Sequence, residues 1–291
     1  MAAFQPLAPE AASVIATYSL TSPNQLHIEV AQAAHRIRLL NHWQIPPGSR
    51  VLEIGCGQGN CTTVLAEAVG PEGHVDAVDP GSPDYGSPFT LREAQEHISQ
   101  SKVGDRVSWH CIQPMEFLQV HGNETWDYAV FSHCIWYFDE PNTLGGMLQA
   151  LKCRVKEVLI AEYALTATEK AAEPHVLAAV ARATLEAYNH DSEANIRCLL
   201  SPQAIKDISN AQGWNINREE VVVPDAGLLD GRWEVGSVKS SEFLEEIDIS
   251  VKDAKISTVL RSSRDAIISA IEKLDGEDLR TMDVWVARLN C

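Results

Sequence analysis

The sequence predicts an α/β fold, in which a mostly parallel β-sheet carries helices on both of its faces. From residue 49 onward, short apolar runs typical of buried strands alternate with longer segments of helical periodicity. Regular alternation of this kind produces parallel strands that are joined by right-handed crossovers. The chain has 291 residues, of which 45% are hydrophobic, so it is long enough to bury one large core.

Seven strands and the helices between them can be placed in order along the chain. The strands are predicted at residues 49–54, 73–79, 106–112, 126–133, 157–164, 215–224 and 281–290. The helices are predicted at residues 60–70, 90–101, 142–153, 169–189, 201–214 and 241–274. Gly70 and Pro71 close the first of these helices, and Ser201 is a typical N-cap before Pro202. The last two strands are expected to pair antiparallel at the sheet edge, with a helical insertion between them.

The first 45 residues are predicted to form an N-terminal helical lid. Apolar side chains recur at helical spacing between residues 10 and 42, and Ser22 and Pro23 separate two helices. Residues 46–291 are predicted to form one domain. Its helical cover segments are expected at about 166–200 and 241–274.

Charge and composition exclude several classes of function. The chain has 23 Lys and Arg against 40 Asp and Glu, a formal charge of −17, which disfavours binding to nucleic acid. Its seven cysteines are scattered and show no C-x-x-C spacing, so they are expected to be reduced. No signal-like start and no run of about 18 apolar residues is present. We therefore expect a cytoplasmic protein with no membrane partner, and the sequence leaves its oligomeric state open.

A glycine-rich turn follows the first predicted strand and indicates a nucleotide site. Gly55, Gly57 and Gly59 form G-x-G-x-G, and Asn60 stands where a dinucleotide-binding fingerprint requires its third glycine. No G-K-[ST] follows, so a phosphate-binding P-loop is also disfavoured. The ligand is thus expected to be another kind of nucleotide.

Two carboxylates flank this turn and narrow the choice of ligand. Glu53 precedes the first glycine, where it would repel a pyrophosphate but would suit an ammonium group. Asp79 ends the second strand, 20 residues after Gly59, and a carboxylate there can accept both hydrogen bonds from a ribose diol. These residues point to a nucleoside with a cationic tail.

The pattern E-x-G-x-G-x-G, followed by an acidic residue at the end of the second strand, resembles class I S-adenosylmethionine-dependent methyltransferases of the small-molecule type. The resemblance covers about residues 25–165. It implies a Rossmann-like seven-stranded sheet, S-adenosylmethionine as the cofactor, and methyl transfer to an oxygen, nitrogen or sulfur of a small metabolite. Two alternatives stay open: a protein of the same fold that binds the cofactor but catalyses another reaction, and a non-catalytic binding subunit.

The resemblance also implies roles for particular residues. The glycines would let the backbone approach the methionine and ribose portions, Glu53 would help to orient the amino group, and Asp79 would hold the ribose hydroxyls. Where the family often has an acidic residue after the third strand, this chain offers Gln113 for the base edge and Met115 for the base face, and Met115 equally fits a core position. The cofactor-binding residues predicted in this way are Tyr18, Glu53, Gly55, Cys56, Gly57, Gly59, Asp79, Pro80, Gln113, Met115, Ser132 and His133.

The end of the fourth strand, "FSHCIWYFDEP", is expected to lie beside the transferred methyl group. His133 is the candidate general base, and a structural or cofactor-contacting histidine is the alternative. Because Ser132 and His133 stand where cation-dependent members present aspartate, no metal is expected. The candidate acceptor-binding residues are Trp136, Tyr137, His190 and Arg197. The remaining histidines show no metal-ligand spacing and are expected to be structural or solvated: His27, His35, His74, His97, His110, His121 and His175.

Overall fold

The computed structural model describes residues 3–189 and 194–291 and contains one seven-stranded sheet. The strand order is β3-β2-β1-β4-β5-β7-β6, in which β7 runs antiparallel to both of its neighbours and the strands from β3 to β5 are parallel. The strands are β1 (Arg50–Ile54), β2 (His74–Asp79), β3 (Val107–Cys111), β4 (Tyr128–Ser132), β5 (Glu157–Tyr163), β6 (Asn215–Val222) and β7 (Val284–Asn290). The predicted α/β class and the antiparallel last pair are confirmed.

Eleven α-helices are formed in the described part of the chain. They are α1 (Ala11–Ile15), α2 (Leu26–Trp43), α3 (Asn60–Val69), α4 (Leu91–Ser99), α5 (Pro114–Val120), α6 (Asn142–Leu151), α7 (Glu173–Glu186), α8 (Pro202–Ala211), α9 (Asp230–Lys239), α10 (Ser241–Ser250) and α11 (Ala254–Glu272). Two of them, α5 and α9, were not predicted. The helix α5 has only seven residues, and α9 contains Gly231 and Gly236, which weaken its helical pattern. The helical insertion before β7 therefore begins at Asp230 and not at 241.

The sheet separates two apolar cores. On one face, α2 and α3 pack against side chains such as Val51 and Val130, and on the other face, α5, α6 and α8 pack against side chains such as Leu52 and Phe131. This arrangement follows from the strand pleat, since successive side chains point to opposite faces. A third cluster joins α7, α9, α10 and α11 as a separate helical layer.

The strand order reverses at β1, which pairs with β2 on one side and with β4 on the other. The crossover helices therefore leave β1 and β4 toward opposite faces, and a crevice opens beyond the carboxyl ends of these strands. Ligands of open α/β sheets bind at such a reversal point. Among residues 3–189 and 194–291, no helix combines the length and the apolar character needed to cross a membrane.

Candidate functional site

The glycine turn between β1 and α3 is shaped by three left-handed residues, Gly55, Gly57 and Gly59, with φ of 73°, 52° and 94°. A Cβ on Gly55 would lie 2.5 Å from the Cβ of Cys134, and one on Gly59 would lie 2.5 Å from the Cδ1 of Ile98. A Cβ on Gly57 would meet no protein atom within 4 Å. The outer glycines are thus required for packing, and Gly57 is the point at which a ligand can approach the backbone.

Asp79 joins this turn to the loop after β2. Its Oδ2 accepts a hydrogen bond from the Gly57 amide, and its Oδ1 accepts one from the Gly81 amide, each at 2.8 Å. A carboxylate has about four acceptor sites, so both oxygens keep capacity for a diol. Asp79 therefore holds the turn in shape and remains able to bind a ribose.

Glu53 lies beneath the turn and is 1% exposed. Its Oε2 accepts a hydrogen bond from the Thr62 hydroxyl at 2.6 Å. Burial raises the pKa of Glu53 to about 7, with a further increase from Asp79 that Thr62 and Arg36 oppose. A cationic ligand would favour the ionised form of this carboxyl.

Helix α2 lies across the start of α3. The Glu29 carboxylate accepts a hydrogen bond from the Asn60 amide at 2.9 Å. Arg36 lies two turns further along α2, and its positive charge lowers the pKa of Glu53. Tyr18 lies elsewhere. Its ring is buried in the core and its hydroxyl donates to Glu67 Oε2 at 3.4 Å, about 10 Å along α3 from the glycine turn. The structure therefore does not bring Tyr18 to the turn, and α2 takes the covering position.

The other predicted cofactor contacts lie around the same crevice. Cys56 is buried in the turn, and Pro80 is exposed directly after Asp79. Gln113 is exposed at the start of α5, whereas Met115 is partly buried and packs on the apolar core. The end of β3 is tied to this region, because the Cys111 thiol donates to the Gly81 carbonyl at 3.3 Å.

The loop over residues 80–90 folds back over the glycine turn. The Gln58 side chain donates to the Phe89 carbonyl at 2.7 Å, and the Gln95 side chain donates to the Gly57 carbonyl at 3.0 Å. Gly86 has φ of 115°, a conformation that favours glycine. We call the crevice beyond β1, β2 and β3 the cofactor side of the site.

His133 begins the other half, at the ends of β4 and β5, which we call the acceptor side. Its Nε2 lies 3.0 Å from the Nε2 of His35 on α2, and its Nδ1 lies 3.7 Å from Glu162 Oε1. Nε2 of His133 is thus engaged by His35, whereas its Nδ1 faces Glu162 but makes no hydrogen bond among the described residues. His133 stays a predicted base, and the contact with His35 adds a second histidine to the same site.

The proton positions in the pair of His35 and His133 follow from Glu162, which is completely buried. Its two oxygens accept hydrogen bonds from the amides of Tyr163 and Ile135, each at 3.0 Å. A carboxylate beside Nδ1 of His133 favours a proton on that atom, so we assign His35 as the donor in the contact between the rings. Nδ1 of His35 is then a free lone pair, and it has no hydrogen-bond partner among the described residues. Burial and the charge of Arg36 hold the pKa of His35 well below its ordinary value.

Tyr163 and Asp230 continue the acceptor side toward α9. The Tyr163 ring packs on His133 with 4.6 Å between the ring centres, and its hydroxyl donates to Asp230 Oδ1 at 2.9 Å. The Gln32 amide donates to Asp230 Oδ2 at 3.0 Å. These bonds connect α2, β5 and α9 around one polar chamber.

The predicted acceptor-binding residues occupy different positions. Trp136 is buried, and its indole donates to the Leu200 carbonyl at 2.9 Å, so it supports the chamber through its contact with Tyr163. Tyr137 is 47% exposed at the entrance. Arg197 pairs with Asp139 at 2.6 Å, and its backbone amide donates to the Trp136 carbonyl. His190 lies outside the described residues. Ser132 is partly buried between the two sides, and its hydroxyl has no partner in the described chain.

Sequence reasoning missed several residues of this chamber. His35 and His175 were expected to be structural or solvated, and both are buried beside it. A signal for α2 was present, since Glu29, Gln32 and Arg36 recur at helical spacing and lie along one face of the helix. For Tyr163, His175 and Asp230 no local motif exists, because each lies in a different element.

Comparison with known proteins agrees with this architecture. Residues 51–157 match the family model described as a methyltransferase domain. Methyltransferase phomM of Diaporthe leptostromiformis is 26% identical over 285 residues, which cover 84% of this chain and 74% of that protein. A cyclopropane-fatty-acyl-phospholipid synthase-like protein from Lactobacillus casei is 28% identical, with a TM-score of 0.84 over 98% of this chain and 100% of that chain.

A more distant structure shares the fold and was crystallised with SAH. The mycolic acid cyclopropane synthase CmaA1 is 14% identical, with a TM-score of 0.50 over 89% of this chain and 85% of that chain. The strand order and the glycine turn are those of class I methyltransferases, and these matches agree with them. The chain is an S-adenosylmethionine-dependent methyltransferase, and S-adenosylmethionine is its cofactor.

Proposed function

We propose that this enzyme methylates an oxygen, nitrogen or sulfur atom of a small-molecule acceptor, which binds beyond the ends of β4 and β5. The observation that carries the proposal is the buried His35 and His133 pair next to the glycine turn. Cys134 packs directly against Gly55, so the turn that bears His133 adjoins the glycine turn that we assign to the cofactor. This contact supports the proposal of a proton-accepting group close to the departing methyl group.

The residues of the cofactor side fit S-adenosylmethionine, which supplies an electrophilic methyl group when it is bound. The open face of Gly57 admits the ligand, the free acceptor capacity of Asp79 suits the ribose hydroxyls, and Glu53 supplies negative charge for the amino group. We assign the adenine edge to Gln113, which is exposed at the neighbouring end of β3. Met115 takes a supporting position in the core beside it.

The acceptor side fits proton removal through two histidines. In the proposed step, Nδ1 of His35 takes the acceptor proton while its Nε2 proton moves to Nε2 of His133. The positive charge then lies on His133, beside the buried Glu162 carboxylate. His35 alone is a weak base, because burial lowers its pKa, and the transfer to His133 compensates for that weakness.

The helices around the acceptor side and the net charge of the chain support a small acceptor and argue against a nucleic acid or a membrane lipid surface. Helices α2, α7 and α9 enclose the acceptor side, and the chain carries a formal charge of −17. We retain the proposed division into a lid over residues 1–45 and a domain over 46–291 with its helical cover. The side of α2 that carries Glu29, Gln32 and Arg36 is the part of the lid that faces the site.

Methyl transfer with a deuterated cofactor tests this proposal. The purified protein is incubated with CD3-labelled S-adenosylmethionine and a pool of small phenols, amines and thiols, and products are analysed by mass. The expected result is an acceptor that gains one CD3 group with equal release of S-adenosylhomocysteine. An isomeric product without the label would indicate the same fold with another reaction. Absence of S-adenosylhomocysteine binding would indicate a non-catalytic subunit.

A further inference from the structure

Two carboxylates on one face of α9 lack a cationic partner. Asp230 and Glu234 are one helical turn apart. The donors to Asp230 are the neutral Gln32 amide and Tyr163 hydroxyl, and Glu234 Oε1 accepts from the Asn195 amide at 3.2 Å. Within the described ranges, neither carboxylate has a Lys or Arg nitrogen within 4.0 Å.

Two basic side chains lie near this face without a direct bond to either carboxylate. The positive charge of Arg182, on α7, lowers the pKa of Glu234, but its guanidinium is bonded to Glu186 and Glu246. Arg36 donates to the Gln32 side chain on α2. Burial raises the pKa of Glu234, and the Asn195 amide and the charge of Arg182 oppose this increase. Neither Asp230 nor Glu234 therefore makes a direct ion pair with a Lys or Arg among the described residues.

An aromatic ring completes this face. Tyr137 is half exposed over the whole residue, and burial, followed by the charges of Glu234 and Asp230, raises the pKa of its hydroxyl. Tyr85, from the loop after β2, contributes to the same increase. Carboxylates together with an aromatic face are the groups that proteins use to bind organic cations.

His175 on α7 gives an independent indication of a ligand. It is completely buried, and its Nδ1 accepts a hydrogen bond from the Met282 amide at 3.1 Å, so that nitrogen carries no proton. Burial lowers the pKa of His175 to about 4, which leaves the ring neutral with its proton on Nε2. Nε2 has no partner in the described part of the chain, and the ring packs edge-on against Tyr163 at 5.2 Å. A buried N–H of this kind requires an acceptor atom.

We propose that the acceptor is a small amine, which binds as its ammonium ion between Asp230, Glu234 and Tyr137 and loses one proton through Nδ1 of His35 before its nitrogen accepts the methyl group. An oxygen of the same molecule accepts the hydrogen bond from Nε2 of His175. The inference rests on the proposed function, because it takes the chamber at the ends of β4 and β5 as the acceptor site. It extends that function from any small acceptor to a cationic one.

Choline and its neutral isostere 3,3-dimethylbutan-1-ol are suitable probes, since they share their shape and hydroxyl group and differ in charge. Their binding to the protein saturated with S-adenosylhomocysteine is measured by calorimetry. Choline is expected to bind at least about 10-fold more tightly than the isostere. Tetramethylammonium, which has no hydroxyl group, is expected to bind several-fold more weakly than choline if His175 has the assigned role.

Charge-removing variants locate the site. Asp230→Asn and Glu234→Gln are each expected to weaken choline binding about 10-fold and to leave the affinity for S-adenosylhomocysteine unchanged. The matched control is Asp278→Asn, which removes the same charge from an exposed residue that pairs with Arg232 outside the chamber. Its choline affinity is expected to equal that of the parent protein.

Equal binding of choline and its isostere, or no binding of choline, would overturn the inference. If the enzyme at the same time transferred CD3 to neutral or anionic acceptors, the proposed function would stand and only the cationic acceptor would fall. Failure to bind S-adenosylhomocysteine would remove the proposed function and the inference together.

Discussion

The cofactor side and the acceptor side of the site are assembled in different ways. Most of the cofactor side comes from one β-α-β unit, between Glu53 and Asp79, and its key bond joins Gly57 to Asp79. The acceptor side joins α2, β4, β5, α7 and α9, and its bond between Gln32 and Asp230 spans 198 residues. The residues of the cofactor side are therefore close together in the sequence and form a recognisable motif. The residues of the acceptor side are far apart in the sequence and meet only when distant elements pack together.

The largest expected effect is a difference in stability loss between alanine variants of two glycines on the cofactor side. Gly55→Ala places a Cβ 2.5 Å from that of Cys134 at a φ of 73°, so we expect it to destabilise the fold by about 3 kcal/mol and to abolish cofactor binding. Gly57→Ala meets no protein atom and should cost only about 1 kcal/mol of stability while it still blocks the ligand. Thermal unfolding and S-adenosylhomocysteine binding measure the two effects.

Equal loss of stability in both variants would contradict this distinction, because the clash with Cys134 would then not matter. The double variant Gly55→Ala with Cys134→Gly is the matched control. It removes the clashing Cβ and should restore part of the stability, leaving the strain of the left-handed backbone at residue 55.

The fold could be predicted from sequence because strand and helix periods are local signals. All seven strands were placed to within a few residues, and the turn at Gly55 was located together with Glu53 and Asp79. The helix α9 was missed because Gly231 and Gly236 interrupt its helical pattern of apolar residues. Tyr18 was assigned to the cofactor from a family likeness, and its actual bond to Glu67 depends on how α1 and α2 pack on α3.

On the acceptor side, His133, Trp136 and Tyr137 could be predicted, because they follow directly on β4. His35 and His175 gave no signal by themselves, since the chemistry of a histidine depends on what contacts its two nitrogens. The contacts come from β5, from α2 and from the segment before β7, and these are brought together by tertiary packing. Variants on this side therefore test features that sequence motifs do not contain.

The second largest effect is expected at His133. His133→Ala interrupts the path from His35 to Glu162, and we expect turnover to fall by about 100-fold or more while S-adenosylhomocysteine affinity changes by less than about threefold. Single-turnover rates and calorimetry give the two values. His97→Ala, on the exposed face of α4, serves as the control and should leave both unchanged. The reverse pattern, with affinity lost and turnover kept, would make His133 a cofactor contact.

A smaller effect is expected at Asp79. Asp79→Ala removes the acceptor for the Gly57 and Gly81 amides and the proposed ribose contact, so cofactor affinity should fall by about 10- to 100-fold, or about 1.4 to 2.7 kcal/mol. Asp79→Asn keeps one carbonyl oxygen and should lose less. Unchanged affinity in the alanine variant would show that Asp79 does not bind the ribose and only stabilises the turn.

The smallest effect is a pH dependence that belongs to the cofactor side alone. The pKa of Glu53 is about 7 in the free protein, where Asp79, Arg36, Thr62 and Cys61 surround it, and a bound ammonium group favours its ionised form. Cofactor affinity should therefore rise between pH 6 and 7.5, by about five- to tenfold, as protons leave Glu53 in the free protein.

Calorimetry of S-adenosylhomocysteine binding across this pH range measures the slope. Glu53→Gln keeps the shape of the side chain and its bond to the Thr62 hydroxyl but cannot ionise, so its affinity should be lower at pH 7.5 and independent of pH. A slope that survives in Glu53→Gln would place the titrating group elsewhere. In that case the titrating group would be sought on the acceptor side. A group there that controls cofactor affinity would mean that the two halves of the site are coupled.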